Sequence, residues 1–298
     1  MFMSTENPAV RSVERLLEVL DLDFTQARTT EDIFVGDSHP MPTGRIYGGQ
    51  VLAQSLIAAE RTLPEDRAVH SMHGYFLRPG DASQGITIAV DRIHDGRSFS
   101  TRRSQAYQNG VPIFSMIASF QDEGPGVEHA EPMPADVPAP ETLLPDEDRV
   151  PGLAGGARRM LTDRAADIRH VEQPLYLASD AARTPRQGVW MRMRAPLPDD
   201  PRLHRAALAY LSDMSIQESI LRAHSLHWSF PGLKVASLDH AMWWHRPARV
   251  DEWLLYVQES PNARGGRGLA TGRIFTQEGS LVASVAQEIM IRVPEGTE

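Results

Sequence analysis

The side chains able to do chemistry are few, and the ones that are missing narrow the field first. None of the 298 residues is cysteine, which removes thiolate nucleophiles, thiolate zinc sites, iron–sulfur clusters and disulfides together. Neither a GxSxG elbow nor an HExxH helix occurs, so the signatures of common serine hydrolases and zinc proteases are absent too. Lys234 is the sole lysine and so the single Schiff-base candidate. His70 and His73 fall on opposite faces of a strand pattern and make no metal pair. His224 and His227 share a helical face, but no third ligand accompanies them. The run GGRGLATG has GxGxxxG spacing and joins strands, which is not a dinucleotide fingerprint. Two further polar side chains stand in apolar surroundings, and neither has a role fixed by its residue type alone. Asp213 lies within HRAALAYLSDMSIQESILRAH, where desolvation would lift its pKa toward that of a useful base. An N-cap or a solvated helix position is the alternative. Gln287 interrupts the apolar run SLVASVAQEIMIR, either as an edge residue, as a satisfied core amide or as a functional group.

These residues need a frame. A 41% hydrophobic and 23% charged chain of this length reads as an ordinary soluble protein of one or two domains. Its net charge of −9 argues against nucleic-acid binding, which needs clustered Lys and Arg. No run of about 18 apolar residues is present to cross a membrane. The first residues show no basic-then-apolar leader, so the cytoplasm is the expected location. The charge is not spread evenly. Residues 121–150 hold nine acidic side chains, six prolines and one basic group, Arg149, for a local net charge of −8. Such composition predicts an extended linker.

The two flanks of that linker repeat one another. VHSMHGYFLRPGD, ITIAV, a turn at Asp95-Gly96, a second at Asn109-Gly110 and VPIFSMIASF recur as VASLDHAMWWHRPAR, WLLYV, the turn ARGGRG, a second at Glu278-Gly279 and SLVASVAQEIMIR. The Arg-Pro pairs at 78 and 246 are 168 residues apart, and the turn glycines at 110 and 279 are 169 apart. The same order at one spacing is a repeat. Each copy has an apolar helix ahead of its strands, marked by Val51, Leu52, Ser55, Leu56, Ala59 and Leu63 in one. In the other the marks are Leu208, Leu211, Ile216, Ile220 and Leu221. Alternation at Val189, Met191 and Met193 marks a half-buried strand. A leading helix carries Val13, Leu16, Leu17 and Leu20. One helix against a long antiparallel meander, written twice, is an α+β architecture.

The ordered blocks GGQVLAQSLIAA, VHSMHGYFLRPGD, NGVPIFSMIASFQ, YLSD, SLDHAMWWHRP, DEWLLYVQES and SLVASVAQE resemble the type II acyl-CoA thioesterases, the TesB-like family. The resemblance implies a double hotdog: two tandem hotdog domains, each a curled antiparallel sheet around a central helix. It divides the chain into a first hotdog with its leading helix at 1–121, the acidic linker at 122–170 and a second hotdog at 171–298. It further implies hydrolysis of fatty acyl-CoA to the acid and coenzyme A by a water held by Asp213, Ser237 and Gln287, with no metal and no cofactor. Ser237 stands where the family usually has Thr, so retained activity with a looser water is expected. The glycine-rich turn lies near coenzyme A in this family, which suggests Arg264, Gly266 and Arg267 as substrate contacts. A solvated hairpin turn is the alternative there. Gln50 lies near the place of Asp213 in the repeat and Ala118 or Ser119 lies opposite Gln287, so one site per chain is expected, with the first copy as scaffold. The family also implies a homo-oligomer, dimer or tetramer. A non-catalytic acyl-CoA-binding protein and a hotdog enoyl-CoA hydratase are the rival functions.

Overall fold

The glycine turns close the hairpins that their residue types predict. The computed structural model describes residues 8–24, 31–65 and 67–294. Asn109 and Gly110 both take positive φ, 51° and 74°, as do Gly265 and Gly266 at 63° and 75°. A two-residue turn of that hand matches the twist of the strands it joins. The first half runs α1 (Pro8–Leu20), β1 (Asp23–Phe24), β2 (Asp32–Gly36), α2 (Gly48–Glu60), β3 (Ala68–Phe76), β4 (Ile86–Asp95), β5 (Phe99–Gln108) and β6 (Val111–Gln121). A 3₁₀ turn at Pro140–Thr142 and short helices α3 (Asp146–Arg149) and α4 (Gly155–Thr162) follow. The second half runs β7 (Ala166–His170), β8 (Arg186–Met193), α5 (Pro201–Ser212) and α6 (Glu218–Ala223). It ends with β9 (Lys234–Ser237), β10 (Asp239–Trp244), β11 (Leu254–Arg264), β12 (Arg267–Thr276) and β13 (Leu281–Arg292).

The strands form one sheet. Its order is β1-β2-β4-β5-β6-β3-β10-β13-β12-β11-β8-β7, with β9 added on β13. Outward from the central β3–β10 pair, the two halves read β3-β6-β5-β4 and β10-β13-β12-β11, which is the sequence repeat realised in strand order. The halves meet antiparallel, Met72 opposite Met242. Helix α2 is buried along nearly its whole length and packs on α5 and on strands β3, β4, β5 and β6, while α6 packs on β8, β11 and β12. One hydrophobic core runs through both halves and includes Leu52, Leu56, Phe114, Met191, Leu211, Ile220, Met242 and Ile274.

Three expectations change. The apolar run around Asp213 is not one helix but two, α5 and α6, broken over 213–217. Short polar side chains there compete with the helical ladder: Ser212 Oγ reaches the Ala209 carbonyl. The last carbonyls of α5 are satisfied from outside, Tyr210 by Tyr47 Oη at 2.8 Å and Ser212 by Tyr256 Oη at 3.2 Å. Strand β8 is buried on both faces, because Trp190 joins Trp253, Leu255 and Phe275 under Met133, Val137 and Leu143 of the acidic segment. That segment is thus a strap as much as a linker. Trp190 Nε1 donates to the Pro138 carbonyl at 2.9 Å, and Arg273 pairs with Glu131 at 2.6 Å. Strand β7 occupies its last five residues and pairs with β8.

Asp146 explains why the strap holds. Its carboxylate is fully buried and accepts from the His170 amide at 3.1 Å and from Nδ1 at 2.7 Å. The other ring nitrogen meets Glu218, the first residue of α6. Burial opposes charge on all three groups, but the two carboxylates outweigh it at His170 and push its pKa up to about 10. Burial would likewise raise Asp146, yet His170 and Arg164 bring it down to about 2. A carboxylate–imidazolium–carboxylate cluster therefore ties the strap to the second half. Buried ion clusters of this kind tolerate the loss of a member poorly.

Candidate active site

Asp213 is the C-cap of α5, and the residue is 4% exposed. Its carboxylate sits at the N-terminus of α2, the helix of the other half. The Gly49 amide donates to it, and a Cβ added at Gly48 would meet its Oδ2 at 2.7 Å. Only glycine admits that approach without displacing the carboxylate. Gln287 Nε2 donates to Asp213 Oδ1 at 3.0 Å and to Ser237 Oγ at 2.8 Å. Gln217 Nε2 also donates to Ser237 Oγ, at 3.0 Å. With two amides on its lone pairs, the Ser237 hydroxyl has its own proton left for Asp213, to which it also bonds. Those bonds restrain the Ser237 side chain as a β-methyl would.

Desolvation dominates the electrostatics. It pushes Asp213 up to about 7, although the bonds from Gln287, Gly49 and Ser237 each favour the ionised form. Such a carboxylate is poised between acid and base near neutral pH. Ser237 is half-buried, which leaves the site open on its side.

Asp213, Ser237 and Gln287 thus come together from the α5–α6 turn, β9 and β13. Arg264, Gly266 and Arg267 stand apart, in the β11–β12 turn at the same end of the sheet. Ser237 lies opposite Ile289, and Ile289 opposite Gly268. Two strand spacings, about 10 Å, separate that turn from Ser237. Arg264 is exposed, and Arg267 pairs with Glu288 at 3.0 Å.

Other candidates take ordinary partners. The bulge between Val69 and Ser71 breaks the simple alternation of β3 and sets His70 against Ser119 at 2.9 Å, whereas His73 pairs with Asp239 at 2.9 Å. His224 caps the end of α6 and His227 lies beyond it, so the two share no helical face. Gln50 is the third residue of α2, whereas Asp213 precedes α6 by five residues, so the two do not occupy matching places on the wrapped helices. Gln50 binds the His39 amide and the Asp37 carbonyl instead.

Sequence reasoning missed the Gly48-Gly49 doublet as a partner of Asp213, and it missed Gln217 and His240. The doublet was visible as two glycines opening a helix, where unpaired amides collect. His240, inside an apolar strand, was visible as a polar interruption of the same kind as Gln287.

A family model described as acyl-CoA thioesterase matches residues 166–290, and one described as the acyl-CoA thioesterase N-terminal domain matches 37–121. Acyl-CoA thioesterase 2 of Haemophilus influenzae is 36% identical over 88% of this chain and 93% of its own. The chain belongs to the acyl-CoA thioesterases. Human acyl-coenzyme A thioesterase 8 is 39% identical over 88% of this chain and 85% of its own. The crystal structure of acyl-CoA thioesterase II TesB2 from Mycobacterium marinum superposes with a TM-score of 0.77 at 44% identity, covering 94% of this chain and 99% of that one. A hot dog fold protein of unknown function from Alicyclobacillus acidocaldarius shares the fold at 19% identity and a TM-score of 0.75, covering 94% and 98%. The one continuous sheet, made of two repeated halves with helices packed on each, is therefore a tandem hotdog.

Proposed function

We propose that this thioesterase hydrolyses acyl-CoA to the free acid and coenzyme A, with Asp213 as general base for an attacking water. The buried carboxylate pushed up to about 7, in bonding distance of Gln287 and Ser237, carries this reading. Water enters on the side of Ser237 and takes over one of the bonds that Asp213, Ser237 and Gln287 make to one another, so that these groups orient it. Asp213 takes the water's proton as oxygen attacks the thioester carbon. Negative charge then grows on the carbonyl oxygen, and the positive end of α2 beside the carboxylate is placed to stabilise it. Collapse expels the coenzyme A thiolate, which receives the proton from Asp213. Among the side chains of the β11–β12 turn, Arg264 is free to meet a phosphate of coenzyme A, Gly266 lets that phosphate approach the backbone, and Arg267 does so by releasing Glu288. Action in the cytoplasm completes the proposal, together with assembly as a homo-oligomer, which rests on the family resemblance.

Single-turnover hydrolysis in ¹⁸O-water tests it. Thiol release from a series of acyl-CoAs, with one ¹⁸O in the acid formed in the first turnover, is the expected result. Unlabelled acid in that turnover would mean that Asp213 attacks the carbon itself, and no thiol release would leave only acyl-CoA binding.

A further inference from the structure

The site works only if the Gln287 amide faces one way. Both of its N–H bonds are in use, on Asp213 and on Ser237. Turned over, it would set a carbonyl oxygen against a carboxylate and leave Ser237 without that donor. Nothing in the amide itself chooses between the two orientations, because its oxygen and nitrogen are nearly the same size. The choice comes from its partners, the Asp213 carboxylate on one side and the partner of Oε1 on the other.

The partner of Oε1 is His240 Nδ1. His240 lies on β10, fully buried, one element away from the reacting groups. A carbonyl oxygen only accepts, so Nδ1 carries the hydrogen. Burial keeps the ring neutral, lowering its pKa to about 4, so Nε2 is bare and acts as an acceptor. The Ser212 hydroxyl lies 2.9 Å from both Nε2 and the Ala209 carbonyl, and with the ring hydrogen on Nδ1 its one proton turns to Nε2 in place of the carbonyl. The charged and titratable groups around the ring are Asp239 on the same strand, His73 on β3 paired with Asp239, and Asp213 beyond Gln287. A chain of hydrogen bonds, Ser212 to His240 to Gln287 to Asp213 and Ser237, thus runs from the end of α5 through β10 and β13 and back to the carboxylate.

We infer that His240 is a positioning residue for the hydrolysis: as the Nδ1–H tautomer, with the Ser212 hydroxyl at its other nitrogen, it holds the Gln287 amide so that both N–H bonds point at Asp213 and Ser237. The inference rests on the reading above, in which those two residues and Gln287 hold the attacking water.

His240→Asn and His240→Gln separate this role from packing. The Asn amide can place an N–H near the position of Nδ1, whereas the longer Gln places its amide near Nε2 and leaves Gln287 Oε1 without a donor. His240→Asn is expected to keep kcat within about fivefold of the wild type, and His240→Gln to lose about 10- to 100-fold with KM little changed. The Gln variant should also shift the acid limb of the pH–rate profile upward, because Gln287 no longer favours the Asp213 carboxylate. Equal losses in both variants with an unmoved profile, or full activity in both, would overturn the inference. Should either variant fail to fold, ¹⁵N spectra of the histidine-labelled wild type decide instead. A protonated Nδ1 with a bare Nε2 at His240 is expected, and the opposite tautomer would overturn it. Full activity in Asp213→Asn would sink the underlying mechanism, and the tautomer measurement would be unaffected by that failure.

Discussion

The two halves bury polar side chains to different ends. In the first, Gln50 and Gln54 on α2 bond to one another, and Gln54 also reaches the Val19 and Asp37 carbonyls at 2.7 and 2.9 Å. Those amides are spent on backbone that would otherwise be buried without partners, and they hold α1 and the β2 exit against the helix. In the second half, Ser237 on β9 and Gln287 on β13 bond to one carboxylate, and Gln217 and His240 bond to those two in turn. The repeat supplies the same sheet twice, but only one copy breaks its helix to make room for an acid. The first half still contributes, through the α2 N-terminus that touches Asp213. A duplicated fold thus lets one copy lend a helix end to the chemistry of the other.

The largest stability difference between the halves should come from the buried ion cluster. Asp146→Asn leaves His170 with one carboxylate in place of two and is expected to cost about 3–5 kcal/mol in urea unfolding. The cluster also sets a pH window. His170 has a folded pKa raised to about 10, so its contribution is complete below about 6.5 and is lost as pH rises toward 10. Asp146, lowered to about 2, contributes above about 3.8 and loses its contribution only as pH falls toward 2. Stability measured from pH 7 to 10 should therefore fall in the wild type and fall less in Asp146→Asn.

A second contrast concerns rate. The base must be ionised, so kcat/KM should drop about tenfold per unit of pH below 7, following the value of about 7 held by burial at Asp213. An acid limb near pH 4 would mean that the carboxylate is solvated in the free enzyme. The smallest effect is expected in the first half. Gln54→Leu takes the side-chain donor from the Val19 carbonyl and leaves the Asp37 carbonyl with Gln50 alone, and should cost about 1–2 kcal/mol while leaving kcat unchanged. A fall in kcat there would mean that α2 does more than present its end.

Much of this was legible in the sequence. Asn109-Gly110 and Gly265-Gly266 announced hairpins because few other pairs tolerate positive φ at both positions. Asp213, Ser237 and Gln287, far apart in the chain, were grouped by family resemblance rather than by spacing, which could not have joined three elements. The break between α5 and α6 was illegible, since the apolar stripe of Leu211, Ile216 and Ile220 continues across it and the groups that satisfy it, Tyr47 and Tyr256, come from elsewhere. The strap was misjudged for a similar reason. Nine acidic residues looked solvated, but Asp146 finds a buried imidazolium and Met133 and Val137 find tryptophans that only the folded sheet assembles. His240 went unnoticed because its value depends on the amide it faces.

The most direct measurement is the turnover of Asp213→Asn against wild type on a fatty acyl-CoA, followed by thiol release at pH 8. Asn is nearly isosteric, and a folded variant can be verified by circular dichroism before the assay. Loss of the general base predicts a fall in kcat of about 10²- to 10⁴-fold. Full activity in the folded variant would contradict the account, because no second carboxylate lies among the hydrogen-bond partners described around Ser237 and Gln287 to take the proton.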